Sequence, residues 1–263
     1  MSRLKKYYNY LRLLGFDPEK AVNTIRGLPP FISDYFKLKK QIEYSNNDFP
    51  VKEFNFCLED RLAESGTIEL HYFHQDLLIA RRIFLNHPIK HVDVGSRIDG
   101  FVAHVASYRE IEVFDIRPLD KHIPNIKFIQ VDFTKEIEEG LVNYCDSISC
   151  LHALEHFGLG RYGDTIDYYG YLKGLNNLNQ IVTTGGKLYI SVPMGEQRIE
   201  FNAHRVFSLS FLLSILKENY SIDQFSYIND NNELFENSEL SEENIMKNFN
   251  CHYGCAIFEL TKV

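Results

Sequence analysis

The chain of 263 residues carries 28 Lys and Arg against 36 Asp and Glu, a net charge of -8, with 44% hydrophobic and 24% charged residues. This balance excludes a chain disordered throughout and argues against general nucleic-acid binding, which needs a basic face to neutralise phosphates. No apolar run approaches the roughly 18 residues of a membrane span, and the opening MSRLKKYYNYLRLLGF lacks the apolar core and cleavage site of a secretory signal, so a cytoplasmic protein without a membrane span is expected.

Residues 2–44 read as amphipathic helix in two or three pieces. Leu4, Tyr7, Tyr8 and Leu11 repeat at helical spacing, and Asp17-Pro18-Glu19 supplies an N-cap and a first-turn proline. Gly27 and Pro29-Pro30 are expected to break the chain before a third helix from Ser33. The segment Tyr44 to Asp48 is polar and loop-like, Phe49 to Cys57 alternates as an extended piece, and Gly66 precedes a strongly helical run, Tyr72 to Asn86. In that run Phe73, Leu77, Ala80, Ile83 and Phe84 form the expected buried face, and His71 and His74 share a side near its start. The domain division expected is 1–66, a helical extension serving as a cap, a dimerisation arm or a packing layer, and 67–263, an α/β domain. A homo-oligomer is compatible with this layout.

From Ile89 short apolar runs alternate with helical ones. Strands are expected at Ile89 to Val94, Ile111 to Asp115, Ile126 to Val131, Ser147 to Leu151, Lys187 to Val192, Tyr220 to Ile228 and Cys255 to Leu260. Helices are expected at Phe101 to Ser107, Asp167 to Thr183 and Ser208 to Glu218, with 229–250 as a polar insertion. This alternation indicates a mainly parallel sheet covered on both faces. The five scattered cysteines suit free thiols. Cys251 and Cys255 bracket His252, but no second Cys/His pair lies nearby to complete a zinc site, and no metal ligand is assigned.

In open α/β sheets ligands bind outside the carboxyl ends of the strands, so strand ends carry the information. The first strand runs into KHVDVGSRIDGF, with Asp93, Gly95 and Ser96 at a turn that closes at Gly100 before the helix. The second ends in Asp115, twenty residues beyond Gly95, where a carboxylate can accept ribose hydroxyl protons, and the third in Asp132, which can accept from an exocyclic adenine amine. The fourth ends at Leu151 and leads into His152, Glu155 and His156.

These motifs, Asp93-Val94-Gly95-Ser96, Asp115, Val131-Asp132, residues 146–156, Gly185-Gly186-Lys187-Leu188 and Val192-Pro193, resemble those of class I S-adenosylmethionine-dependent methyltransferases over residues 89–193. HYFHQDL (71–77), LHALEHFGLGRYGD (151–164) and SVPMGEQRIEFNAHR (191–205) also resemble an uncharacterised methyltransferase-like family associated with surface-polysaccharide biosynthesis. The resemblance implies a Rossmann-like class I methyltransferase sandwich, mostly parallel with a C-terminal antiparallel strand, behind an N-terminal helical extension. It implies S-adenosyl-L-methionine as cofactor, held by Asp93, Gly95, Ser96, Arg97, Gly100, Asp115, Asp132 and Leu151, and a small-molecule or saccharide acceptor.

The first loop departs from the family pattern, with Arg97 and Asp99 where alternating glycines are usual. Arg97 is expected to pair with the cofactor carboxylate or a substrate phosphate, or alternatively with Asp99 or Asp93. Methyl transfer to a hydroxyl needs positioning and a base, for which His156 is the first choice, with Glu155 and His152 beside it. His71, His74, Arg161, Asn202, His204 and Arg205 are candidate acceptor contacts. His152-Ala-Leu-Glu155-His156 also matches H-x-x-E-H, the inverted zinc-peptidase pattern, but that chemistry needs a long helix, and here a strand and Gly158 and Gly160 flank the motif. A methyltransferase-fold scaffold, or a metal-dependent transferase or hydrolase on the same fold, are the competing readings.

Overall fold

The computed structural model of the protein describes residues 3–44, 49, 51–59, 61, 68 and 70–263. The chain divides into two units, Met1–Ile68 and Glu69–Val263. Of the polar segment expected at Tyr44 to Asp48 only Tyr44, which caps the second helix, is described, and the break expected at Gly66 and the 66/67 boundary lie outside the described residues.

In the first unit, α1 (Arg3–Leu13) is followed by α2 (Pro18–Glu43). Asp17 caps α2 by accepting from the Glu19 and Lys20 amides at 3.1 and 3.2 Å, with Pro18 as the first helical residue, where its missing donor costs nothing. The expected break at Gly27 and Pro29-Pro30 does not occur, and α2 continues through both prolines into the segment expected as a third helix. Beyond the prolines Phe31 lies 5.3 Å from Phe56 and Tyr35 lies 5.0 Å from Phe54, contacts on a helix with no buried residue that do not account for its continuity. The piece expected to be extended, Phe49 to Cys57, forms no strand among its described residues, 49 and 51–57.

The second unit is built on an eight-stranded sheet. Its strands are β1 (His91–Val94), β2 (Ile111–Asp115), β3 (Ile126–Gln130), β4 (Cys145–Leu151), β5 (Val182–Met194), β8 (Tyr220–Ile228), β9 (Leu234–Phe235) and β10 (Gly254–Lys262). A separate hairpin pairs β6 (Arg198–Glu200) with β7 (His204–Val206). The sheet order is β3-β2-β1-β4-β5-β10-β8-β9; the first five strands are parallel and β10 is antiparallel to both neighbours. Strand order reverses between β1 and β4, which places a cleft at their carboxyl ends.

Both faces are covered. On one, Val92, Phe114, Ile148 and Ile190 pack with Leu178 and Ile181 of α5 (Gly170–Ile181) and Leu212 and Leu216 of α6 (Leu209–Leu216). On the other, Ile111, Val113 and Ile257 pack with Ile79 and Ile83 of α3 (Leu70–Asn86) and with Phe101 and Val105. The helix after β1 begins earlier than expected, as a π-turn at Ile98–Val102 that runs into the short α4 (Ala103–Ala106). The insertion before β10 contains β9 and α7 (Glu242–Met246) and is anchored by Phe235 and Phe249, whose rings lie 4.8 and 4.4 Å from Tyr227.

The buried face of α3 is rotated from the expected one. Ala80 and Ile83 are buried, but Phe73, Leu77 and Phe84 are about half exposed, and Gln75, Asp76, Ile79 and Arg82 take their place inside. The polar members are partnered: Arg82 donates to Ser226 and Asn237 and pairs with Glu259, and Gln75 bonds Asp76 and Ser191. Hydrophobic periodicity does not mark a helix face that buries paired polar side chains. Among the described residues no helix is long and apolar enough to cross a membrane.

Candidate functional site

The turn after β1 is held from beneath by Asp93. Its carboxylate is fully buried and accepts from the Ser96 amide at 3.1 Å, the Ser96 hydroxyl at 2.9 Å and the Ser149 hydroxyl at 2.5 Å. Burial pushes its pKa up to about 7 against these bonds, which favour the charged form. Gly95 follows at φ 78°, and a Cβ there would lie 2.9 Å from that of Ala153. Glycine is therefore needed for both the turn and the close passage of the loop after β4.

The next two strand ends open on one pocket, whose walls include Ile116, Val131, Phe133 and Phe157 as well as Asp115, Asp132 and His156. Asp132 turns inward onto the Thr134 amide and hydroxyl, at 2.9 and 2.7 Å. Asp115 is gripped by Arg117: Nε and Nη2 bond its two oxygens at 3.0 and 2.6 Å, and the Arg117 amide adds a bond of 2.8 Å. The guanidinium also lies over the Tyr162 ring, 4.7 Å from its centroid. Arg117 and Tyr162 were not anticipated from the sequence, although a cation two residues after a strand-end carboxylate is a readable signal.

Beyond β4 the chain forms a strap. His152 sits at φ 48°, its amide bonded to the Ser191 carbonyl at 3.0 Å, and Leu154–His156 make one 3-10 turn, not the long helix a zinc peptidase needs. His152 Nδ1 lies 2.8 Å from Glu155 Oε1 and its Nε2 lies 3.2 Å from Nδ1 of His71. Burial opposes protonation of His152, but Cys255 and Glu155 outweigh it and hold its pKa well above the ordinary value. Burial and the neighbouring His152 lower His71 to about 4. His156 donates from Nδ1 to the Ala203 carbonyl at 2.6 Å, which leaves Nε2 with a lone pair, and burial lowers its pKa. Glu155 is 1% exposed, and its Oε2 has no hydrogen-bond partner.

The remaining candidates are not brought together in one place. Ser96, Arg97, Gly100, Leu151 and His152 line a second cleft with Tyr72, Gln75 and Asp76, adjoining the first through Gly95, Arg117 and Tyr162. Arg97 points outward and makes a bidentate pair with Asp99 at 2.9 and 2.7 Å, the alternative to a cofactor contact. Arg161 and His204 cluster near His156: Arg161 bonds the same Ala203 carbonyl at 3.1 Å, and the His204 ring lies 6.4 Å from that of His156. Arg205 is buried and spends its guanidinium on four carbonyls, Glu155, Phe157, Asp167 and Tyr168. Asn202 is exposed in the β6–β7 turn, and His74 lies against Phe73, outside both clefts.

A family model described as Caenorhabditis protein of unknown function, DUF268, matches residues 109–253. Among solved structures, the [4+2]-cyclase SpnF is similar at 12% identity over 72% of this chain and 80% of its own, with a TM-score of 0.51. The O-methyltransferase from a trans-AT PKS multienzyme of Brevibacillus brevis, in complex with S-adenosyl-L-homocysteine, is similar at 13% identity over 73% of this chain and 72% of its own, with a TM-score of 0.51. The N-methyltransferase NodS from Bradyrhizobium japonicum WM9 is similar at 12% identity over 73% and 96%, with a TM-score of 0.50. No curated protein matches the sequence. At such identities the likeness shows the fold: this chain has the class I methyltransferase architecture, a mostly parallel sheet ending in an antiparallel strand.

Proposed function

We propose that this chain, which belongs to the family described as Caenorhabditis protein of unknown function, DUF268, is an S-adenosylmethionine-dependent methyltransferase acting on an oxygen of a saccharide or related polar acceptor in surface-polysaccharide biosynthesis. The observation that carries the reading is the pocket across the ends of β1 to β4, in which two strand-end carboxylates face an apolar slot. The donor set suits an adenosyl group. Ile116, Val131 and Phe133 offer walls for a flat ring, Asp132 an acceptor at its edge, and Asp115 acceptors for ribose hydroxyls. The cofactor supplies a methyl group on a sulfonium, and the protein supplies position and a base.

His156 fits the base. With its Nδ1 proton committed to Ala203, Nε2, 3.7 Å from Glu155 Oε1, has a lone pair to take a hydroxyl proton, and burial keeps the ring neutral at neutral pH. His152 is tied between Glu155 and His71 and acts as a positioning residue in this reading. Tyr72 and Arg161 offer an aromatic face and a cation to a sugar or its phosphate. A cytoplasmic location belongs to the same proposal.

The Asp115–Arg117 fork favours a second reading, a fold-derived binding or scaffold protein, because ribose must compete with a guanidinium. The Arg117 side chain is 44% exposed and so has solvent into which to withdraw. Incubating extracts with methyl-labelled S-adenosylmethionine separates the two. Label is expected in a saccharide fraction with wild-type protein and is lost with Asp115→Asn; no labelled product in any fraction, with folded protein, supports the scaffold.

A further inference from the structure

Three ligating side chains far apart in sequence meet in the interior. His71 comes from the first turn of α3, His152 from the end of β4 and Cys255 from the start of β10. They are 7%, 7% and 0% exposed, and one ligand atom from each lies within 4.8 Å of the others. The two imidazoles are stacked with 15° between their planes and face one another at 3.2 Å through Nδ1 of His71 and Nε2 of His152. Two nitrogens on one tetrahedral zinc, with Zn–N bonds of about 2.0–2.1 Å, are separated by ~3.3 Å.

The outer side of each ring is also fixed. His152 Nδ1 faces Glu155 Oε1 at 2.8 Å, and His71 hydrogen-bonds the Tyr253 backbone while its ring lies against that of Tyr253. Such bonds select the tautomer of a metal-bound histidine and aim its other lone pair inward. Two lone pairs so aimed need a shared proton or a cation between them, and the adjoining sulfur completes a donor set for a cation. Glu155 supplies a further sign: its Oε2 is buried without a hydrogen bond, a charge that a divalent ion beyond His152 would balance.

We propose that His71, His152 and Cys255 form a zinc site, with Glu155 and the Tyr253 backbone as its outer shell. Two imidazoles and a thiolate suit a borderline-soft divalent ion. As the zinc–sulfur bond forms, the thiol S–H bond breaks and its proton leaves to solvent, together with any proton held between the imidazoles. Three protein ligands leave a fourth position, and the cleft lined by His152, Gln75 and Tyr72 is the side from which a water reaches it.

The site is independent of methyl transfer, and its test uses neither cofactor nor acceptor. The full chain, produced without a metal-affinity tag and treated with chelator, is titrated with cobalt(II) and then zinc(II). One equivalent of cobalt is expected to bind, with thiolate-to-metal charge-transfer absorption that zinc abolishes, and zinc is expected to raise the melting temperature. Cys255→Ser is expected to lose the charge-transfer band while keeping its circular dichroism, and His71→Gln to weaken zinc binding by about tenfold or more. Folded wild-type protein with no charge-transfer band and no thermal shift overturns the proposal. A band that persists in Cys255→Ser overturns it as well.

Discussion

Arg117 decides how Asp115 behaves. A bidentate charged pair orients the carboxylate and must open for a ligand hydroxyl to replace it. Asp115→Asn is expected to weaken S-adenosylhomocysteine binding by about tenfold or more, the scale of a hydrogen bond to a charged group; calorimetry on the variant checks this. At His156 the sign follows from burial. Because its pKa is lowered, the base is neutral at pH 7, and kcat is expected to fall only as pH drops below the ordinary histidine range. His156→Gln is expected to lose about a hundredfold in kcat and the acid limb with it; a variant with full turnover across neutral pH contradicts the base assignment. Asp93 gives the opposite kind of pH effect. Its folded pKa, about 7, exceeds the unfolded 3.8, so the folded state binds the extra proton. Stability from this group is greatest below the unfolded value and declines as pH rises to about 7. Urea titrations of wild type and Asp93→Asn are expected to show the wild-type curve losing ground over that interval while the variant does not.

The strap from His152 to Tyr168 is the element on which the site depends. It has little regular structure, and its path is fixed by two devices: Asp164, which accepts from the Gly158 and Gly160 amides at 2.7 and 3.2 Å, and Arg205, which gathers four of the strap's carbonyls. Gly158, at φ 79°, lets the Asp167 carbonyl pass where a Cβ would stand. Arg205→Ala is expected to destabilise the domain by about 2–3 kcal/mol, since it strips charged donors from buried carbonyls. Hydrogen exchange is expected to rise over 155–168 more than in the sheet. Arg205→Lys, lacking the planar fork, is expected to restore only part of the loss. Little of this element was legible in advance. Its histidines marked it as chemical, but Arg205 read as a substrate contact because nothing in a one-dimensional pattern distinguishes a guanidinium facing a ligand from one facing carbonyls.

Across the fold, legibility followed the physical source of each feature. β2 and β8 coincide with their expected bounds because a buried strand between turn residues leaves a local apolar signature. The order of strand ends, and with it the pocket of Asp115 and Asp132, followed from the alternation of elements. What remained hidden was long-range. α2 runs on through two prolines, the sheet buries Gln75 and Arg82 of α3, and His71, His152 and Cys255 meet across most of the chain. Binding of an adenosyl cofactor in the cleft at the β1/β4 switch is measured by titration calorimetry of the wild-type chain with S-adenosylhomocysteine. Saturable binding near one equivalent, diminished in Asp115→Asn, is the result expected. No heat at millimolar ligand, from protein whose circular dichroism shows it folded, contradicts an adenosyl site in this cleft.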